Sequence, residues 1–156
     1  MNKKKGMKRL LATAAAILLF GSASAMAATT NVNVSASIVG VCQFSATPAL
    51  AFGVLDQTLA TDAVAAGNLT FWCTKNAAYV LGDETNPAVA DGAFSGTLLS
   101  GADSMAYTIA YTNSSGAGLG KTSTITSALT GTITNAVYVN APAGAYADIV
   151  TFTLTP

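Results

Sequence analysis

Histidine is absent from the 156-residue sequence, and the only arginine is Arg9. Without histidine no Ser–His or Cys–His nucleophilic pair can form, and a two-cysteine metal site lacks the ligands that usually complete one. Charge is also scarce, with Asp, Glu, Lys and Arg making up 9 % of the chain. Five of the seven basic residues (Lys3, Lys4, Lys5, Lys8 and Arg9) stand in the first ten positions. That leaves Lys75 and Lys121 against Asp56, Asp62, Asp83, Glu84, Asp91, Asp103 and Asp148, a formal charge of −5 for the rest of the chain. Nucleic acid requires a basic surface, and so does an anionic membrane. Neither is expected as a partner.

The basic cluster opens a short ordered pattern. An apolar run from Leu10 to Phe20 follows it, and the small residues of GSASAMA close it. This is the layout of a secretory signal. The run is shorter than the roughly 20 residues a membrane-spanning helix needs. Ala25-Met26-Ala27 supplies the small-x-small pattern that places the signal at residues 1–27 and the exported chain from Ala28, with cleavage after Ala25 as the alternative. The remaining length, about 130 residues, suits one domain. Its two cysteines, Cys42 and Cys73, read first as a disulfide because an exported chain meets an oxidising compartment. Two buried free thiols are the alternative. Closing that loop contributes about 3.5–4 kcal/mol on chain-entropy grounds.

No segment beyond residue 28 carries helical periodicity. Short alternating runs separated by turn signals predict an all-β sandwich or barrel. TTNVNVSASIV (29–39) places Val32, Val34, Ala36 and Ile38 on one face and Asn31, Asn33, Ser35 and Ser37 on the other. Further strands are expected at 41–46, 50–56, 67–74, 77–83 and 104–113, with one or two more within 123–142. Residues 84–96 read as a loop, and SSGAGLGK (114–121) as a glycine turn. In the closing run YADIVTFTLTP, Tyr146, Asp148, Val150, Phe152 and Leu154 share a face. An eight-stranded membrane barrel would strain this length.

Catalytic chemistry finds little here. Asp83-Glu84 is the only adjacent carboxylate pair and reads as loop solvation rather than a glycosidase pair. A calcium site from Asp83, Glu84, Asp91 and Asp103 matches no known loop spacing. GAGLG lacks the helix and lysine of a phosphate loop. The asparagines of Asn68-Leu69-Thr70 and Asn113-Ser114-Ser115 fit the glycosylation pattern, which arises by chance in a Ser- and Thr-rich chain. Phe71, Trp72, Tyr107 and Tyr111 read as core and edge residues, with a sugar-binding platform as the alternative. No enzyme, no cofactor and no metal is expected.

Several stretches together resemble the spore coat U domain family, which includes subunits of archaic chaperone–usher pili. They are the Phe52-Gly53 pair, the run from Gly67 into Cys73, and the Gly144, Tyr146, Asp148 corner before the last strand. The resemblance covers nearly all of residues 28–156. It implies an immunoglobulin-like β-sandwich over 40–156 that lacks its seventh strand and is completed by a donor strand from a neighbouring subunit. A periplasmic chaperone would fill the groove first, an outer-membrane usher would direct assembly, and the N-terminal strand of the next self or sibling subunit would replace the chaperone. The chain would pass through the periplasm of a Gram-negative bacterium to a surface pilus that supports adhesion or biofilm formation.

On this reading residues 28–39 are the donor strand, with Thr30, Val32, Val34, Ala36 and Ile38 facing the acceptor. Val150, Phe152 and Leu154 form the groove edge and the strand a chaperone would recognise. The run to Pro156 leaves the last strand uncovered, an edge that invites pairing. A secreted coat or matrix protein of the same fold is the first alternative, and a carbohydrate-binding adhesin the second.

Overall fold

The computed structural model describes residues 26–46, 48–90 and 92–156. All but the last two residues of the expected signal lie outside the described residues. The chain divides into a unit ending at Ala36 and a second unit, Ser37–Pro156, which holds every strand found among the described residues.

The second unit is an antiparallel immunoglobulin-like β-sandwich. One sheet has five strands in the order β1 (Cys42–Phe44), β2 (Ala63–Cys73), β7 (Ile125–Ile133), β5 (Asp103–Tyr111) and β4 (Ala93–Ser100). The facing sheet has three: β6 (Ser115–Ala117), β3 (Ala78–Asp83) and β8 (Phe152–Thr155). A single helical turn, α1 (Asn135–Tyr138), follows β7. Period-two alternation builds the core, because successive side chains on a strand point to opposite faces. In β5 every inward residue (Met105, Tyr107, Ile109 and Tyr111) is buried and every residue between them exposed. β7 repeats this with Ile125, Leu129 and Ile133, and β2 with Leu69, Phe71 and Cys73. The aromatic rings meet mostly edge-on, Phe71 against Tyr79 at 5.1 Å and Tyr111 against Phe152 at 5.3 Å.

Cys42 and Cys73 are register partners on β1 and β2, with Cα atoms 4.0 Å apart and the sulfurs joined. The disulfide therefore ties the first strand of the domain to the sheet. Thr74 continues the tie, since its N–H donates to the Val41 carbonyl at 2.8 Å and its Oγ1 accepts the Val41 N–H at 3.0 Å.

Several expected boundaries move. Residues 28–39 form no strand, since alternation marks the face a strand would bury but a strand also needs a ladder partner. Residues 50–56 are not a strand either. Gly53 takes φ +71° and turns the chain, and Leu50 and Phe52 lay their side chains over Gly131 instead of pairing main chains. A Cβ on Gly131 would stand 2.6 Å from Leu50 Cδ2 and 2.8 Å from Phe52 Cζ, so the bare backbone makes room for this strap. The loop after β3 gives way to β4 at Ala93, the glycine turn contains the short β6, and the region after β7 includes α1. The last strand is ordered as β only from Phe152, although Ala147 bridges Leu99 with reciprocal bonds of 2.9 and 3.1 Å.

Asp83 also differs from expectation. Far from solvating a loop, it is fully buried. Its Oδ1 accepts the N–H groups of Thr85 (2.9 Å) and Asn86 (3.1 Å), and its Oδ2 accepts the Tyr111 hydroxyl at 3.1 Å. A buried carboxylate persists only when such donors replace its hydration. Asp83→Ala strands donors that each cost about 1–3 kcal/mol unsatisfied, so a loss on the order of 3 kcal/mol is expected in urea denaturation. An unchanged midpoint would refute this role.

Candidate subunit-docking groove

Among the described residues β8 is an end strand, paired with β3 on one side only. Beside it and the chain leading into it lies an open apolar cleft of about 490 Å³ between the two sheets. Val150 and Phe152 form one wall, and Phe44, Pro48, Leu50 and Phe52 the other. The floor comes from the five-stranded sheet: Leu69 of β2, Leu129 of β7, and Tyr107 and Ile109 of β5.

The hydrogen-bonding direction of the edge follows from alternation. Leu81 of β3 donates its N–H to Ser114 O at 2.7 Å, on the side away from β8, so its neighbours Val80 and Gly82 turn toward β8. Their register partners there are Thr155 and Thr153. One step further, Thr151 N–H reaches the Glu84 carboxylate at 3.2 Å, so this side chain extends the ladder beyond the end of β3. The odd-numbered residues thus face β3. Val150, Phe152 and Leu154 therefore present their main-chain groups to the open side, because main-chain groups alternate sides along a strand. The same three residues are half-buried through their side chains.

The corner before β8 is fixed by hydroxyls. Tyr146 donates to the Pro142 carbonyl, four residues upstream, at 3.0 Å, the arrangement of a tyrosine corner. Tyr107 donates to Asp148 Oδ2 at 2.7 Å, which ties the incoming chain to β5. Burial of the Tyr107 hydroxyl, reinforced by this bond and by the charges of Asp148 and Glu84, pushes its pKa far up. Gly144 lies midway between Pro142 and Tyr146, inside the loop that the first of these bonds closes.

The structure brings Val150 and Phe152 to the cleft, with Leu154 further along the same edge. The residues expected to donate are all exposed: Thr30, Ala36, Val32 (79 %), Val34 (90 %) and Ile38 (87 %). Sequence reasoning missed the strap residues Leu50 and Phe52 and the ladder-extending Glu84. The apolar pair spaced by two was visible, but only Gly131 across the sheet explains its docking. Of the aromatics considered for sugar binding, Phe71, Tyr107 and Tyr111 are buried, and half-buried Trp72 lies under Lys121 Nζ, 5.8 Å from its ring centre. Among the described residues no group of three or more His, Cys, Asp or Glu could hold a metal ion, and no helix is long and apolar enough to cross a membrane.

The fold is an immunoglobulin-like sandwich whose last strand borders an apolar cleft, and a strand edge left unpaired offers main-chain groups to a further strand. The sequence profile of the Spore Coat Protein U domain matches residues 28–153, and the chain belongs to that family. The family is structural and surface-associated, and it includes chaperone–usher pilus subunits. No curated protein and no solved structure gives a significant match.

Proposed function

We propose that the chain is a structural subunit of a surface pilus, in which residues 28–39 of one copy fill the groove of the next. The observation that carries this reading is the pairing of a one-sided β8 edge with an apolar cleft beside it. Strand addition uses both features: main-chain bonds supply affinity, and alternate side chains seated in the groove supply specificity. Residues 30, 32, 34, 36 and 38 have the required period, and Val32, Val34 and Ile38 contribute about 1.5–3 kcal/mol each when fully buried. Residues 1–27 act as the export signal. A periplasmic chaperone covers the groove until an outer-membrane usher delivers the next subunit. Head-to-tail addition that does not close on itself yields a fibre.

A peptide of residues 28–39 tests this on a chain lacking that segment. At a hundredfold excess over its dissociation constant, a bound peptide stabilises the folded state by about 2.7 kcal/mol. A rise in melting temperature is expected with the natural peptide and none with its Val34→Asp, Ile38→Asp counterpart. Equal effects from both peptides, or none from either, would count against groove filling.

A further inference from the structure

Among the described residues, the two lysines of the domain and three of its exposed carboxylates lie at opposite ends. Lys75 lies in the turn after β2 and Lys121 in the turn before β7. These turns are bonded together, Gly120 N–H to Cys73 O at 2.9 Å and Asn76 N–H to Gly118 O at 2.8 Å. Both lysines are exposed. Val41 is bonded to Thr74 beside them, so the chain enters the domain at this basic end.

Three exposed carboxylates mark the other end. Asp56 and Asp62 belong to the loop before β2, where Asp62 Oδ1 accepts the Asn135 N–H of α1 at 2.8 Å. Asp103 begins β5. The register places it on the same side, because Ala63 pairs with Ile133 while Thr108 pairs with Thr132, and β5 runs outward from there toward residue 103. The eleven residues of β2 separate the two ends by about 30 Å. A second cleft, lined by Asp56, Tyr138 and Asp148, opens at the acidic end and shares Leu50, Phe52 and Asp148 with the docking groove.

We propose that the acidic end is a docking surface for the basic end of a second copy of this chain, and that it fixes the direction in which the donor segment enters. The inference rests on the donor-strand reading above. A donor whose own domain sits at the acidic mouth brings Lys75 and Lys121 against Asp56 and Asp103. The opposite direction sets lysines against lysines. Complementary charge at an interface rim acts on association rate and on rejection of wrong orientations more than on final affinity.

Assembly of the purified chain, followed by light scattering, tests this. The screening length is about 30 Å at 0.01 M salt and about 3 Å at 1 M, and the assembly rate is expected to fall at least about tenfold between them. Reversing one end with Lys75→Glu and Lys121→Glu should slow assembly about tenfold at 0.01 M salt. Adding Asp56→Lys and Asp103→Lys to the same chain exchanges the ends and should restore the rate. Asp62 is left intact because it holds α1. Thermal melts confirm that each variant folds, and the salt series on the unaltered chain decides the matter if a variant does not. Rates indifferent to salt, or to reversal in folded variants, overturn the electrostatic docking and leave the donor-strand reading standing. Assembly that persists without residues 28–38 overturns that reading, and absence of assembly by the unaltered chain overturns both.

Discussion

Deletion of residues 28–38 is expected to leave a folded, exported chain that forms no fibres. The deleted segment contributes none of the buried core, which runs from β2 to α1, and it precedes Cys42, where the disulfide anchors the first strand. Fold stability should therefore hold to within a few tenths of a kcal/mol, the range of surface changes. Polymerisation should be lost entirely, because on the proposed donor-strand reading the segment supplies roughly 5–9 kcal/mol of apolar burial before ordering costs. Single changes should grade the effect. Val34→Asp carries a charge into an apolar groove and approaches the deletion, whereas Asn33→Ala on the opposite face should leave fibre length unchanged. Electron microscopy of the producing cells reads the first outcome and thermal denaturation of the purified chain the second. Normal fibres from the truncated chain would end the donor-strand reading.

Much of the core was legible because it depends on period two alone. Met105, Tyr107, Ile109 and Tyr111 could be assigned to one face from spacing, and the same holds for Leu69, Phe71 and Cys73. What spacing cannot express is the partner across the sheet. The segment 50–56 alternates as a strand does, yet Gly53 and the bare surface of Gly131 make it a strap packed by side chains. Asp83 was misread for a related reason. Its neighbours in sequence are turn-forming, but its hydroxyl partner Tyr111 lies on another strand, 28 residues away. The groove itself was legible only as an uncovered last strand. Its walls required the fold, because Phe44 and Leu50 approach Val150 only after both sheets are stacked.

The disulfide is the other change with a large expected effect. Cys42→Ser with Cys73→Ser should lower unfolding stability by about 3.5–4 kcal/mol, the contribution of the entropy that closing a loop across 31 positions removes from the unfolded chain. That is a large fraction of the 5–15 kcal/mol of an ordinary domain. The consequences should be uneven. β1 has three residues and lies at the end of its sheet, paired with β2 alone, so the bridge supplies much of what holds it in register. Phe44, two residues beyond Cys42, forms part of the groove wall and packs edge-on to Phe71 at 6.2 Å. Loss of the bridge should therefore loosen that wall before the rest of the sandwich yields. Hydrogen exchange should show the amides of residues 42–46 losing protection first, and a donor peptide should bind the double-serine variant more weakly even at temperatures where it remains folded. If groove binding were unchanged while global stability fell by the full amount, the bridge would be a staple of the fold only, with no part in shaping the groove.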